Sequence, residues 1–311
     1  MLLGPAVGED ACAIAWAEDA LVAASDPITL TGSEVGAHAV VINANDIAAT
    51  GARPRWFLAT LLLPQGTCAD EVRELFQAMH RALDRVGAVL VGGHTEVTGA
   101  VMQPVVVGTM LGLAEGGRFV RTGGAQPGDV VIQVGAAPLE GAAVLATEAA
   151  HRLRSVDPAI VARAREAARE PGFSIVEPAL VAARQGASAL HDPTEGGLAM
   201  GLYELAEASG IALEVDADRV LWFEPGLAVC RAVGADPWGT LASGTLLAAF
   251  PTAKLPDALA ALERLGTPGR EIARGRAGDG VWDRDGRPLP RFQRDELARV
   301  LSETGPKSLT P

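Results

Sequence analysis

The stretch Ala187-Ser188-Ala189-Leu190-His191-Asp192-Pro193-Thr194-Glu195-Gly196-Gly197-Leu198 reads as strand, acidic turn, double glycine and helix. Its first four residues alternate as a half-buried strand does. After the turn, Leu198, Leu202, Leu205 and Ala206 recur at helical spacing, and Gly210 suits the position that closes a helix. A helix N-terminus offers free backbone N–H groups and the positive end of the peptide dipole, which together suit a phosphate. An aspartate beside such a site can hold Mg²⁺. The stretch therefore predicts a nucleotide-like site. Asp192 is its candidate metal ligand, Thr194, Gly196 and Gly197 its candidate cofactor contacts, and Glu195 a candidate catalytic group.

Four further places put polar residues where an apolar framework explains them poorly. Gly8-Glu9-Asp10-Ala11 precedes a strand, and Asp26 directly follows one. Either alone is also explained by a capping turn. Asn43 and Asp46 stand three residues apart in an otherwise apolar helix expected over 35–50, so they share a face. Burying an aspartate there is costly unless a metal, an ion pair or a ligand satisfies it. Gly92-Gly93-His94-Thr95-Glu96 follows a short buried strand expected over 88–91 and is expected to form a loop. The two glycines would allow close backbone approach to a ligand, and His94 and Glu96 are candidate general bases. Dispersed carboxylates suit Mg·ATP, because Mg²⁺ takes oxygen ligands and shares them with phosphates. No GxxxxGK[ST] motif is present, so nucleotide binding would follow another scheme.

Composition sets the frame. With 311 residues, 49% hydrophobic and 4% aromatic, the chain is expected to form two α/β domains. The net charge of −12 argues against a nucleic-acid partner, which demands a basic footprint. No apolar run is long enough to predict a membrane span and no signal segment is legible, so a cytoplasmic protein is expected. Cys12, Cys68 and Cys230 are isolated, and neither a zinc site nor a disulfide is expected.

Along the chain, a hairpin is expected over 11–25, a strand over 56–63, an amphipathic helix over 69–86 and a strand over 104–113. The glycine-rich segment 115–129 is the expected boundary, dividing residues 1–120 from 121–300, with a flexible tail at 301–311. A second α/β unit begins at Val130-Val131-Ile132-Gln133-Val134.

In order, Gly8-Glu9-Asp10-Ala11, Ser25-Asp26, Asn45-Asp46-Ile47-Ala48-Ala49-Thr50-Gly51-Ala52, Gly92-Gly93-His94-Thr95, the stretch 191–198 and Ala242-Ser243-Gly244-Thr245-Leu246 resemble the motifs of the aminoimidazole ribonucleotide (AIR) synthase superfamily. The resemblance implies a two-domain PurM-like fold of the α/β (α+β) class. An N-terminal α/β domain would form the sheet or barrel of a homodimer, and a C-terminal α+β domain would pack beside it. It implies ATP and Mg²⁺ as cofactors. Asp10, Asp26, Asp46 and Asp192 would be metal ligands, with Asp10, Asn43, Asp46, Gly92 and Gly93 around the nucleotide.

Within the superfamily, the His-Asp-Pro-Thr-x-Gly-Gly-Leu form is most similar to the HypE hydrogenase-maturation type, which dehydrates a carbamoyl group on its own C-terminal cysteine. This sequence departs from that type in ending Ser308-Leu309-Thr310-Pro311 and in carrying Glu195 where arginine is common. The HypE reaction on a terminal thiol is therefore not expected. An Asp-x-Ser-Asp-Gly motif, usual in thiamine-monophosphate kinase, is replaced by Asp-Pro-Thr-Glu-Gly, and selenophosphate synthetase would need an N-terminal lysine that is missing. The expected function is an ATP- and Mg²⁺-dependent enzyme that phosphorylates an oxygen of a small amide or phosphate acceptor. The alternative is a non-catalytic nucleotide-binding assembly partner.

Overall fold

The computed structural model describes residues 1–6, 8–29, 34–170 and 172–304. It builds the chain around two six-stranded sheets. The first contains β1 (Cys12–Trp16), β2 (Asp19–Ala24), β3 (Pro27–Ile28), β4 (Arg53–Pro64), β5 (Val89–Thr98) and β6 (Val105–Ala114). Their order is β1-β2-β6-β4-β5, with β3 also on β6, and β5 runs parallel to β4 at the edge. Two helices belong to this unit, α1 (Val35–Ala48) and α2 (Ala69–Val86).

Alternation decides which face of the first sheet is covered. Phe57, Ala59, Leu61 and Leu63 of β4 are buried, while Leu58 between them is exposed. Helix α1 is mostly apolar and buried along its whole length, as a helix packed on more than one side must be. Fully burying side chains such as Val40 and Ile47 stabilises the fold by about 1.5–3 kcal/mol each. The same burial forces Asp46 into the interior.

The second sheet contains β7 (Val130–Val134), β8 (Ala189–His191), β9 (Ala212–Val215), β10 (Leu246–Phe250), β11 (Gly269–Arg276) and β12 (Val281–Asp283), in the order β12-β9-β11-β7-β10-β8. Helices α3 (Leu139–Glu148), α4 (Pro158–Glu166), α5 (Val176–Arg184), α6 (Gly197–Ser209), α7 (Glu224–Val233), α8 (Leu255–Leu265) and α9 (Glu296–Thr304) surround it. Strands β7 and β10 are buried at every position. Their alternate residues serve two cores. Ile132, Leu246, Ala248 and Phe250 join a cluster continuous with the first sheet's core, whereas Val131, Leu247 and Ala249 pack with Leu198, Leu202 and Leu205 of α6. The two halves are thus welded through a shared apolar cluster.

Two expectations need correction. The strand expected to stop at residue 91 runs to Thr98 and is exposed along most of its length, so Gly92-Gly93-His94-Thr95-Glu96 is strand rather than loop. Gly93 has φ +145°, and a Cβ there would lie 1.9 Å from the Ala59 carbonyl oxygen. Together with the register shift between Phe57 and Leu58, this ties the glycine to close strand pairing. At the other end, residues 301–304 complete α9 rather than starting a tail, because Leu297 and Val300 of that helix are buried. Residues 305–311 of the expected tail lie outside the described residues.

Candidate functional site

A cleft of about 310 Å³ opens between the two units. Its first wall comes from the N-terminal half: Asp10, Asp26, Pro27, Ile28, Thr29, Ile42 and Asp46. Its second wall comes from the other half: Glu140, Thr194, Glu195, Leu241 and Ser243.

Local structure explains how each acid arrives. Within Gly8-Glu9-Asp10, the two acids divide their work. The Glu9 carboxylate accepts the Thr122 N–H at 3.2 Å and lies 3.5 Å from Arg121, tying the segment down. Asp10 is thereby presented to the cleft. Asp26 follows β2, and Asn43 fixes its backbone. The Asn43 side-chain oxygen accepts the Asp26 N–H at 2.9 Å, and its amide donates to the Asp26 carbonyl at 3.3 Å and the Ala39 carbonyl at 2.9 Å. Asn43 is consequently spent on positioning Asp26, and it does not line the cleft. Asp46 is carried by α1 and is 6% exposed, and Asp192 at the end of β8 is 1% exposed.

The first wall is electrostatically loaded. Burial pushes the Asp46 carboxyl well above the usual carboxylate range, and Asp26, Asp10 and Asp192 push it further. Burial followed by Asp10 does the same to Asp192. Asp46 Oδ2 and both carboxylate oxygens of Asp192 are buried and accept no well-formed hydrogen bond among the described residues, although the Asn45 side chain lies beside Asp192 and partly offsets its upward shift. Such orphaned acceptors are expensive unless something else satisfies them.

Asp10 is the exception. The His191 ring lies 3.1 Å from its Oδ1 and, through the other ring nitrogen, 2.8 Å from Glu204. Burial alone would lower the His191 pKa, but the two flanking carboxylates outweigh it and raise it to about 10. His191 is therefore a buried imidazolium across the neutral range.

All these donors are oxygens, a set that suits a hard cation such as Mg²⁺. Among the described residues no three Asp, Glu, His or Cys side chains stand close enough to chelate one ion unaided. The geometry fits an ion that takes its remaining ligands from water and phosphate, which is Mg²⁺'s usual habit.

The second wall contains groups that sequence reasoning missed. Glu140, on the first turn of α3, is 7% exposed. Burial raises its pKa to about 7, although the hydroxyl of Ser243 donates to it and pulls the other way. An acid in the apolar run Leu139-Glu140-Gly141-Ala142-Ala143 carries the same signal that singled out Asp46. Asp295, just before α9, accepts the Gly196 N–H and the Leu297 N–H at 2.7 Å each, and the Leu241 N–H as well. Burial still raises its carboxyl to about 6.

These contacts change the reading of Gly196 and Gly197. Instead of waiting for a phosphate, the Gly196 N–H holds Asp295, and the Gly197 N–H is turned to the Thr194 carbonyl at 3.1 Å. Both glycines are in the left-handed region, and a Cβ on Gly197 would lie 2.6 Å from the Trp238 carbonyl oxygen. Their freedom lets the turn pass close beneath α6. Thr194 is half-buried and Glu195 exposed, both on the cleft.

The cleft thus gathers Asp10, Asp26, Asp46, Thr194 and Glu195, with Asp192 behind them. It does not gather Gly92, Gly93, His94 or Glu96. His94 pairs in register with Thr60 and Glu96 with Leu62 on the exposed edge strand β5, outside the cleft of their own chain. Cys12 is half-buried, Cys68 exposed and Cys230 buried, and burial pushes the Cys230 thiol up to about 11. No helix among the described residues is long and apolar enough to cross a membrane.

Comparison with known proteins agrees with this architecture. The chain is 30% identical to carbamoyl dehydratase HypE of Rhodobacter capsulatus, over 83% of this chain and 73% of that protein. A HypE–HypF complex contains a chain that superposes with a TM-score of 0.77 at 21% identity, covering 92% of this chain and 94% of the other. A thiamine monophosphate kinase, AaThiL complexed with AMPPCP and TMP, superposes with a TM-score of 0.76 at 20% identity, covering 94% and 92%. These structures show a shared PurM-like fold. The N-terminal domain of AIR synthase related proteins matches residues 8–114 and the C-terminal domain matches residues 126–281. The chain belongs to the AIR synthase related protein family.

Proposed function

We propose that the cleft binds ATP with Mg²⁺ and that the chain is an enzyme that phosphorylates an oxygen of a small amide or phosphate acceptor. The observation that carries this reading is the set of buried, unpartnered oxygens on Asp46 and Asp192 in an all-oxygen cleft. Asp10, Asp26, Asp46 and Asp192 would hold the metal. Bound there, Mg²⁺ would neutralise the phosphate charge that phosphoryl transfer must manage. The chain's own residues supply position: Asn43 fixes Asp26, and His191 fixes Asp10. The nucleotide complexes of structurally similar proteins support the same reading.

Isothermal titration of the purified protein with ATP, with and without Mg²⁺, tests it. Saturable Mg²⁺-dependent binding that Asp46→Asn weakens by about a hundredfold is expected. Binding that ignores either the metal or the substitution overturns it.

The uncovered face of the first sheet supports a homodimer. Ile14, Trp16, Leu58 and Val89 are exposed on that face of β1, β4 and β5, an apolar surface of the kind that marks an interface. His94, Glu96 and the Gly92-Gly93 pair would then serve a nucleotide site through a second copy. Light scattering on the eluted protein gives the oligomeric state.

A non-catalytic assembly role is the second reading, favoured by a similar chain being found in a HypE–HypF complex. Mg·ATP binding with no ADP release across amide and phosphate acceptors would select it.

A further inference from the structure

The two walls of the cleft differ in what can neutralise them. On the first wall, the Mg²⁺ of the proposed function would answer for Asp10, Asp26 and Asp46. The second wall offers the carboxylates of Glu140 and Glu195 and the hydroxyls of Thr194 and Ser243, with Asp295 immediately behind. No Lys, Arg or His is among the described residues that line the cleft. The His191 imidazolium is committed to Asp10 and Glu204.

The one local feature that attracts anions, the start of α6, is also spent. Its Gly196 N–H is held at 2.7 Å by the Asp295 carboxylate, which places a negative charge where the helix dipole would otherwise favour a ligand's. An anionic group on the second wall would therefore meet carboxylates with no donor to offset them. A cation would meet acceptors already in place. That a ligand belongs in this cleft is indicated independently by Asp46 Oδ2, buried, unpartnered and on the same cavity.

We propose that the second wall is the acceptor subsite and that it recognises a cationic nitrogen group, an ammonium or guanidinium, through Glu140 and Glu195 with Thr194 and Ser243 as supporting acceptors. The proposal rests on the reading of the first wall as the Mg·ATP site, and it names the chemistry of the acceptor that reading leaves open. Glu140 is the anchor because it is buried and held by Ser243, and a buried charge-assisted contact outweighs an exposed one. Glu195, at the solvent-facing rim, contributes less. The loss of ionisation that burial imposes on Glu140 is relieved once a cation sits beside it.

The test uses three small planar probes of similar size, methylguanidinium, acetamide and acetate. Each is titrated by ligand-observed NMR into the full-length protein loaded with Mg²⁺ and AMPPCP. Methylguanidinium is expected to bind saturably, with acetamide and acetate weaker by about tenfold or more, equivalent to about 1.4 kcal/mol. Glu140→Gln is expected to weaken methylguanidinium by about tenfold and the exposed Glu195→Gln by a smaller factor. Thermal melting checks that Glu140→Gln is folded; if it is not, Glu195→Gln alone carries the substitution test. Acetamide or acetate binding as tightly as methylguanidinium, no saturable methylguanidinium binding, or an affinity indifferent to the folded variants overturns the proposal. Should Mg·AMPPCP itself fail to bind, the nucleotide reading falls. The same probe series on the nucleotide-free protein then decides the cation subsite separately.

Discussion

The two walls of the cleft hold their acids by different means. On the first, Asp10 is stabilised by a built-in cation, His191, while Asp46 and Asp192 are left with unpartnered oxygens. On the second, Glu140 has the Ser243 hydroxyl and Asp295 has three backbone N–H groups. Acids that a fold satisfies with its own donors can stand without a ligand, as Asp295 does, or be held in place for one, as Glu140 is. Acids left unsatisfied mark where a ligand must complete the structure. The difference separates two sets of carboxylates that composition alone treats as one.

The largest test of this contrast removes the internal cation. His191→Ala leaves the half-buried Asp10 beside other carboxylates without its cation, and breaking a largely buried pair of this kind costs about 3 kcal/mol. His191 is raised in the folded state to about 10. Its contribution is therefore complete below its ordinary value of 6.5 and is lost as the pH rises towards about 10. Urea unfolding of the wild type and His191→Ala at pH 6 and pH 9.5 should show the gap narrowing at the higher pH. A constant gap would mean that His191 acts by packing alone.

Glu140 should show the opposite limb. Its folded pKa is raised from 4.5 to about 7, so ionising it penalises the fold. The penalty is absent below about 4.5, grows as the pH rises to about 7 and is then constant. Replacing the carboxyl with an isosteric amide, Glu140→Gln, should therefore stabilise the protein above neutrality by up to about 3 kcal/mol and have little effect near pH 4. Melting temperatures across that range check the sign. A Gln variant less stable than the wild type at pH 8 would show that the carboxylate is needed by the fold itself.

Asp46→Asn separates stability from binding. Removing a carboxyl that three neighbours repel should leave the nucleotide-free protein as stable as the wild type or more so. Affinity for Mg·ATP should fall by about a hundredfold, about 2.7 kcal/mol. Losing both together would show that Asp46 supports the fold and not a ligand.

Much of this architecture is legible in the sequence, and for identifiable reasons. The 69–86 helix matches to the residue because Leu75, Ala78, Met79, Ala82, Leu83 and Val86 are buried at helical spacing, and Gly87 in the left-handed region ends it. Asp46 stands out because it is an acid in an apolar helix, a pattern that ordinary packing does not produce. Glu140 meets the same test but lies in a shorter helix with small neighbours, which weakens the contrast. Asp295 could not be read at all. Its role depends on meeting Gly196, ninety-nine positions away, and nothing local in Arg294-Asp295-Glu296 marks it. The Gly92-Gly93 pair, expected to form a loop, is strand instead. Double glycine signals backbone freedom without saying what uses it, and at Gly93 the neighbouring Ala59 of β4 does.

The smallest expected effect bears on Asp295, the clearest satisfied acid. Its carboxylate caps the turn before α6 and the start of α9 together, gathering N–H groups of Gly196 and Leu297. Loss of a side-chain helix cap typically costs about 1 kcal/mol, so Asp295→Ala should lower stability by about 1–2 kcal/mol. Burial raises this carboxyl to about 6, so ionising it costs the fold something that the alanine variant escapes. The deficit of Asp295→Ala should accordingly be greater at pH 5 than at pH 8. Glu195 and Leu241, which flank the captured backbone on the cleft, should loosen with it, while Asp10, Asp26 and Asp46 on the opposite wall should not. Hydrogen exchange at Gly196 and Leu241, compared with exchange along α1, reads this directly. Faster exchange confined to the second wall supports two independently held walls, whereas equal acceleration along α1 would show that the cleft is one mechanical unit.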